Sequence, residues 1–375
     1  MAGAKMTVPA RMRAVRITGH GGLDKLEYRE DVATPVPAAD EVLIEVGACG
    51  LNNTDINTRT AWYSKSVGEG TEAGEVAGFE AASSDDATWG GARIVFPRIQ
   101  GADVVGTIVD VGAQVPAARM GERVLVDPWM RDARDPGNRN LAGYFGSERD
   151  GGYAEYTAVP AVNAFPIQSR YSNTELATFP CSYSTGEYML TRARLNGGET
   201  VLITGASGGV GSALVQLAKR RAARVIAVAG RAKMEAVAAL GADCVIPRGA
   251  EDFEAMVRAA APDGEVQVVA DVVGGRGFPG LLELLARGGR YVTAGAIAGP
   301  TVDLDMRTLY LKDLELLGAT VMPVGIFETL VGTIEREEIR PLLAKTFPLD
   351  RLRDAQEAFL HKQHVGNFVI TVREG

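Results

Sequence analysis

Residues 201–219, VLITGASGGVGSALVQLAK, restrict the possible folds of this chain more than any other stretch. A short apolar run meets a glycine cluster, and a regular apolar helical pattern follows. This order predicts a strand, a tight turn and a helix, with a second strand at residues 224–228 completing a βαβ unit. The plain alternative is an ordinary strand-to-helix turn that only needs glycine.

The glycines of this turn predict a phosphate-binding site. Because glycine has no Cβ, the backbone N–H groups and the positive end of the helix can approach a pyrophosphate closely. We therefore expect a dinucleotide to bind at the turn residues Ala206, Ser207, Gly208, Gly209, Val210 and Gly211.

The end of the second strand indicates which nicotinamide cofactor is used. An acidic residue there would bind both ribose hydroxyls and repel a 2′-phosphate. This strand is instead followed by Gly230, Arg231 and Lys233, and the two cations can pair with a phosphate dianion. The pattern favours NADPH. The alternative is that both cations are solvated residues at the start of a helix.

Composition limits the classes of function. The chain has 375 residues and a formal net charge of −8, which argues against nucleic acid or an anionic membrane as a partner. Its three cysteines lie far apart, so the sequence predicts neither a disulfide framework nor a zinc ribbon. No apolar run has the length and flanks of a signal peptide or a membrane span. We expect a cytoplasmic protein.

Hydrophobic periodicity divides the chain into two kinds of structure. Short apolar runs at residues 12–127, broken by Gly, Pro and Asp, predict a compact, largely antiparallel barrel or sandwich. After the glycine turn, strands alternate with amphipathic helices, which predicts a parallel sheet covered on both faces. Residues 315–322 are expected to form a further strand. A helix at 352–360 and a strand at 368–372 then return to the β character of the first half.

Three segments interrupt this pattern. Residues 62–98 hold six acidic side chains among Gly, Ser and Ala, which is typical of a loop, and the segment is either a lid or an unstructured surface excursion. Residues 127–150 are rich in Arg, Asp, Gly and Asn and contain no cysteine. The helical spacing at 173–194 is interrupted at Pro180, which is expected to end one helix and start another.

Taken together, these features resemble the medium-chain dehydrogenase/reductase superfamily, and within it the zinc-independent quinone oxidoreductases. The resemblance rests on GGLDKLEYREDVATPVPAADEVLIEVGACGLNNTD, GASGGVGSALVQLAK and AFLHKQHVGNFVI. It implies an α/β fold in which a Rossmann domain, a doubly wound parallel sheet at residues 166–325, is inserted into a GroES-like catalytic domain. That mainly antiparallel β domain would comprise residues 1–165 and 326–375. The resemblance also implies an active site between the domains and a homodimer joined through residues 315–322.

The resemblance bears on metal binding as well. Zinc alcohol dehydrogenases of this superfamily carry a Cys three residues before an Asp, then Gly-His-Glu, then a later Cys. One of the three usual ligands remains here, because the matching residues are Asn52, then Gly101, Ala102 and Asp103, then Cys181. Asp103 and Cys181 without a histidine make a poor tetrahedral site, so we expect no catalytic metal. The segment that would hold four cysteines for a structural zinc is 127–150, which has none.

The motif NNTDINTRTAWY supplies the catalytic candidates Asn52, Thr54, Asp55 and Tyr63. Hydride reaching a conjugated carbonyl or quinone creates an oxyanion, which needs hydrogen-bond donors aimed at it. Asn52 and Tyr63 can donate, and Thr54, at the proton-relay position of the zinc enzymes, is a weaker candidate. For Asn52 and Asp55 the alternative is a helix N-cap and a helix-start acid. The histidines are expected at the surface or in turns: His20, His361 and His364.

The resemblance implies an NADPH-dependent, zinc-independent reductase of a small, neutral conjugated carbonyl or quinone. Thr185 and Asn367 join the expected cofactor contacts, although Asn367 stands where relatives often have Lys. If the acidic segment 62–98 covers the cleft, it would disfavour strongly anionic substrates such as acyl-CoA thioesters. Two other functions stay open: an alcohol or aldehyde dehydrogenase of the same superfamily, and an NADP(H)-binding protein without turnover.

Overall fold

The computed structural model describes residues 8–91, 93–132 and 134–373, and the first part of the chain is β structure. Its strands are β1 (Arg11–Ile17), β2 (Leu26–Ala33), β3 (Glu41–Leu51), β4 (Arg98–Ile99), β5 (Asp103–Val111), β6 (Arg123–Val126), β7 (Trp129–Met130), β8 (Gly143–Tyr144), β9 (Tyr156–Pro160) and β10 (Ala164–Pro166). Helix α1 (Asn53–Thr60) follows β3 and leads into the acidic segment.

Strands and helices alternate after residue 172. These elements are α2 (Asn173–Leu176), α3 (Pro180–Arg192), β11 (Thr200–Ile203), α4 (Gly209–Arg220), β12 (Arg224–Ala229), α5 (Met234–Ala238), β13 (Cys244–Pro247), α6 (Phe253–Ala260), β14 (Val266–Asp271), α7 (Phe278–Glu283), β15 (Leu285–Thr293), α8 (Met306–Leu311), β16 (Glu315–Gly318), α9 (Ile326–Glu335), β17 (Leu343–Pro348), α10 (Leu352–Leu360) and β18 (Asn367–Thr371). The expected helix break is confirmed, because Pro180 is the first residue of α3, where its missing N–H costs nothing.

Both ends of the described chain build one β-rich domain. A seven-stranded sheet has the order β10-β6-β5-β3-β18-β17, with β9 also paired to β3, and a three-stranded sheet has the order β2-β1-β4. Strand β18 runs antiparallel to β3 with Phe368 opposite Leu51, so residues near the C-terminus complete the sheet. The predicted GroES-like, mainly antiparallel domain is confirmed.

The inserted domain is a parallel sheet with helices on its faces. Six parallel strands have the order β13-β12-β11-β14-β15-β16. Helix α4 packs against this sheet through the buried side chains of Ala213, Leu214 and Leu217. This is the Rossmann order. From β11 the chain adds β12 and β13 on one side, and from β14 it adds strands on the other side. Ligands bind at the point between β11 and β14 where this order switches. The predicted fold class is therefore confirmed.

One strand is shorter than expected, and one helix contact crosses the expected domain boundary. The strand expected at 315–322 ends at Gly318, because the chain then leaves the sheet and Ala319 and Thr320 line the cleft between the domains. Helix α9 lies beyond the expected domain boundary at 325/326, yet it packs against α3 of the inserted domain. Strand β16 is an edge strand, and the dimer through it stays a prediction. Within the described ranges, no helix has the length and apolar character needed to span a membrane.

Candidate active site between the two domains

The glycine turn brings helix α4 to the edge of the cleft. Gly211 lets the helix pack against the turn, because a Cβ there would stand 2.1 Å from the carbonyl oxygen of Gly205. Gly208 has a different role: the atom nearest to a Cβ placed on it would be 3.6 Å away, so its cleft side is open. The first N–H groups of α4, which have no partner within the helix, point to this opening. The turn therefore fits a pyrophosphate.

The two cations predicted to recognise a 2′-phosphate lie outside the described cleft lining. Arg231 and Lys233 directly follow β12, and nothing lies within 4 Å of a Cβ placed on Gly230. Burial, together with the nearby charge of Arg248, lowers the pKa of Lys233. The Lys233 Nζ donates a hydrogen bond to the carbonyl of Lys362, while Arg231 is exposed. A phosphate dianion beside Lys233 would relieve the repulsion between Lys233 and Arg248.

The residues at the expected ligand positions form a hydrogen-bonded network. Asp103 is fully buried, and its carboxylate accepts from Asn52 Nδ2 at 2.9 Å and from the backbone N–H of Cys181 at 2.8 Å. Ser182 Oγ donates to Asn52 Oδ1 at 3.4 Å and accepts from Asn367 Nδ2 at 2.9 Å. Burial raises the pKa of Asp103 to about 7. Asn52 is expected as an oxyanion donor, but its side-chain nitrogen and oxygen both already have hydrogen-bond partners in this network.

This donor set does not fit a zinc ion. Both oxygens of Asp103 are already engaged, the Cys181 sulfur accepts a hydrogen bond from Tyr144, and the buried residue beside Asp103 is Ala102, which has no donor atom. Nowhere in the described parts of the chain do three His, Cys, Asp or Glu side chains gather as a metal-binding group. A catalytic zinc needs at least three protein ligands.

Asp55 lies behind the cleft wall rather than in it. Its carboxylate accepts hydrogen bonds from the backbone N–H groups of Asn52 at 2.8 Å and Gly101 at 3.2 Å, and from the Tyr153 hydroxyl at 3.0 Å. Burial raises the pKa of Asp55 to about 6. The geometry thus supports the helix-start role for Asp55, which fixes the beginning of α1, and not the catalytic role.

Thr54 and Tyr63 form a pair of hydroxyls in the cleft. The Tyr63 hydroxyl donates to Thr54 Oγ1 at 3.1 Å, and both residues line the cleft. Burial raises the pKa of Tyr63 to about 12, so the phenol keeps its proton over the physiological range. Because Thr54 accepts from Tyr63, its own hydrogen is available to a ligand. Both hydroxyls therefore stay candidate donors, and their ranking stays a prediction.

Three aromatic rings that sequence reasoning missed form the opposite wall. The centroids of Trp89 and Trp129 are 4.2 Å apart, and those of Trp129 and Tyr144 are 4.8 Å apart. The Tyr144 hydroxyl donates to Cys181 Sγ at 3.2 Å, and sulfur is a weak acceptor. The sequence feature that could have identified two of these rings is a tryptophan in each of the polar segments 62–98 and 127–150. These rings pack edge to face and give the cleft an aromatic lining.

The acidic segment 62–98 lies across the cleft. The backbone N–H of Thr71 donates to the carbonyl of Ile297 in the inserted domain at 3.0 Å, and Trp89 lines the cleft. Of the two interpretations that the sequence leaves open, this contact supports the lid. The six acidic side chains of the segment are absent from the cleft lining in the described part of the chain. The expectation that the lid disfavours anionic substrates stays a prediction, because it depends on the field of these side chains and not on contact.

Arg59 connects the lid to the β-rich domain through hydrogen bonds. This buried guanidinium donates to the carbonyl of Gly21 at 2.6 Å, to the carbonyl of Glu75 in the lid at 3.2 Å, and to Gln356 Oε1 at 2.9 Å. Arg59 thus joins the lid to both ends of the β-rich domain.

Among the remaining predicted cofactor residues, some line the cleft, whereas Ala206 is buried in the core. Thr185, Val210 and Asn367 line the cleft, and Asn367 Oδ1 is buried without a hydrogen-bond partner in the described residues. Such an acceptor fits a hydroxyl or amide hydrogen of a bound dinucleotide. His364, expected in a turn or at the surface, instead packs on the rings of Phe359 and Phe368, and burial lowers its pKa to about 4.

Comparisons with known proteins agree with this geometry. Residues 38–169 match the family described as alcohol dehydrogenase GroES-like domain, and residues 209–336 match the family described as zinc-binding dehydrogenase. An acryloyl-coenzyme A reductase of Metallosphaera sedula is 30% identical over 370 residues, covering 96% of this chain and 100% of the relative. A quinone oxidoreductase of Rattus norvegicus is 26% identical, covering 93% of this chain and 94% of the relative.

Among solved structures, one from Sinorhizobium meliloti 1021, provisionally named an alcohol dehydrogenase, is 48% identical. It superposes with a TM-score of 0.87 and covers 98% of both chains. The three relatives thus carry three different substrate names on one fold, so the substrate must be argued from the cleft itself.

Proposed function

The chain belongs to the medium-chain dehydrogenase/reductase superfamily and is an oxidoreductase, and we propose that it uses NADPH to reduce a quinone or an α,β-unsaturated ketone or aldehyde without zinc. NADP(H) would lie along the glycine turn, with its pyrophosphate at the N–H groups after Gly208 and its 2′-phosphate between Arg231 and Lys233. When bound, NADPH supplies the hydride.

The observation that carries this proposal is the hydroxyl pair Tyr63–Thr54 in a cleft whose metal-ligand positions are engaged in hydrogen bonds. Hydride addition to a conjugated system places negative charge on the carbonyl oxygen. Thr54 can donate its hydrogen to that oxygen, and Tyr63 strengthens Thr54 as a donor by donating to Oγ1.

Tyr144 offers a second donor on the other side of the cleft. Its hydroxyl is held by the Cys181 sulfur, and an oxyanion is a far stronger acceptor than a thiol sulfur. Burial raises the pKa of Tyr144 well above its usual range, so it acts by donating a hydrogen bond and not as an acid. The rings of Trp89 and Trp129 pack against a planar substrate and exclude water.

A matched pair of ketones tests the proposal. We expect purified protein to oxidise NADPH with 2-cyclohexenone and with 1,4-naphthoquinone but not with saturated cyclohexanone, and treatment with a chelator leaves these rates unchanged. Reduction of cyclohexanone that is lost on chelation would instead support an alcohol dehydrogenase. Binding of NADPH without any turnover would support the non-catalytic alternative.

A further inference from the structure

A groove of about 510 Å³ opens beside the active-site cleft. Trp89 of the lid and Thr320, which follows strand β16, line both the cleft and the groove. The cleft and the groove are therefore adjacent at these two residues. The far side of the groove consists of the segment 139–142 and the C-terminal half of α3.

Two arginines, Arg139 and Arg192, line this groove. Arg139 donates to the Tyr188 hydroxyl at 3.1 Å, with its guanidinium 5.9 Å from the centroid of that ring. Arg192 Nε is buried and has no hydrogen-bond partner in the described residues. The ion pairs found within 8–91, 93–132 and 134–373 include neither the exposed Arg139 nor the half-buried Arg192. Two other half-buried arginines of the inserted domain are paired, Arg221 with Glu187 and Arg290 with Glu199.

Unpaired guanidinium groups are the usual protein ligands for carboxylate and phosphate, because their planar fork matches both anions. The amide of Asn140 lines the same groove and adds a further donor. Since the whole chain carries a net charge of −8, two cations without carboxylate partners are not explained by general surface charge. Their position next to the cleft points to a ligand shared with it.

We propose that this groove binds an anionic group, a carboxylate or a phosphate, at the far end of an elongated substrate whose conjugated carbonyl lies in the cleft. This inference rests on the proposed function and names the substrate class of that site. The reacting part of the substrate stays neutral and packs against Trp89 and Trp129, while its tail follows Trp89 to Arg139 and Arg192. None of the lid's acidic side chains lines the described cleft, and a carboxylate beside the groove is that of Glu148, which accepts a hydrogen bond from the backbone N–H of Gly90.

A series of conjugated ketones that differ only at the end of an alkyl tail tests this inference. The tail carries a methyl ester, a carboxylate or a phosphate monoester, and tail length is varied. We expect the wild-type protein to have a KM for an anionic compound at least about tenfold below that for the ester. The carboxylate and phosphate arms then separate the two anion chemistries.

The matching variant is Arg139→Gln with Arg192→Gln. We expect the ratio of kcat/KM for the anionic compound to kcat/KM for the ester to fall about tenfold or more, with most of the change in KM. Arg134→Gln is the control, because Arg134 is an exposed arginine of the same segment that does not line the groove. It should leave the ratio unchanged.

Direct binding keeps the inference testable if turnover fails. Quenching of tryptophan fluorescence by octyl phosphate, with octanol as the neutral control, reports on the groove through Trp89. Absence of turnover for every compound overturns the proposed function, and octyl phosphate binding weakened by the double substitution would still support the anion site. Equal KM for ester and anion, or octyl phosphate binding that ignores both arginines, overturns the inference. A double variant that changes the oligomeric state and not the ratio would also overturn it, as the arginines would then be subunit contacts.

Discussion

The cofactor side and the substrate side of the cleft are built in different ways. The cofactor side consists of the turn 204–211 and the regular elements β11, α4 and β12, which pack on a continuous apolar core. The substrate side consists of α1, the lid 62–98 and the segment 127–150, which contribute single aromatic and hydroxyl side chains. The first side depends on backbone geometry, whereas the second depends on a few side chains from distant segments. Substitutions should therefore have different signatures on the two sides.

The largest expected effect is on the backbone of the turn. Gly211→Ala should lower the free energy of unfolding by about 3 kcal/mol, because the new Cβ would stand 2.1 Å from the carbonyl oxygen of Gly205. Gly208→Ala, whose Cβ would make an ordinary van der Waals contact at 3.6 Å with the carbonyl oxygen of Gly205, should keep its stability and lose roughly tenfold or more in NADPH affinity. Denaturant titration and calorimetric binding measure the two quantities. Equal loss of stability in both variants would show that the two glycines do not have separate roles.

The corresponding substitution on the substrate side is Thr54→Val, which keeps the shape of the side chain and removes its hydroxyl. We expect kcat to fall about 100-fold with stability and NADPH affinity unchanged, because a donor to the developing oxyanion is lost. The control is Thr60→Val in the same helix, since the Thr60 hydroxyl is buried against the carbonyl of Ile56. If both variants keep the wild-type kcat, Thr54 is not the donor.

A smaller effect is expected at the cationic end of the cofactor path. Replacing Arg231 and Lys233 together by Ala should weaken NADPH binding about tenfold to a hundredfold and leave NADH binding nearly unchanged. Arg287→Ala is the control, because this exposed arginine of the same domain pairs with Asp313 instead. Isothermal titration with both cofactors makes the comparison. Parallel losses for NADPH and NADH would mean that neither cation recognises the 2′-phosphate.

The smallest effect per step of the experiment is a pH dependence of stability from Asp103, measured as a slope per pH unit. Its pKa is raised to about 7 by burial, so the folded state keeps a proton that the unfolded state releases above about pH 4. Raising the pH through this window therefore lowers the free energy of unfolding, with a slope approaching about 1.4 kcal/mol per pH unit. Asp103→Asn should remove this slope, and the smaller contributions of Asp55 and Asp127 should remain. Denaturation curves at several pH values measure how the free energy of unfolding depends on pH. Parallel profiles for the wild-type protein and Asp103→Asn would contradict the assignment of this slope to Asp103.

The same contrast explains how much the sequence alone could predict. The turn, the strand alternation and the return of the C-terminal residues to the β domain follow from local patterns, and the structure has all three. In the Gly208–Gly211 stretch, the residues that act together are also neighbours in the sequence. Local pattern is then sufficient.

The substrate side could not be predicted in this way. Tyr144 and Cys181 are 37 positions apart, and Arg59 reaches Gln356 across 297 positions, so no local pattern links them. The sequence identifies Asn52 and Thr54 as candidates, but their ranking depends on which partner each side chain finds in three dimensions. Strands and turns are encoded locally, whereas hydrogen-bond partners across a fold are not.

The central claim is that hydroxyl donors in this cleft stabilise an enolate, so that hydride enters at the carbon conjugated to the carbonyl. The most direct measurement follows deuterium from NADPH, labelled at the transferred position, into the product formed from 2-cyclohexenone. We expect cyclohexanone with deuterium at the β carbon. Deuterium on the carbon that bears the hydroxyl group of an allylic alcohol would contradict the account.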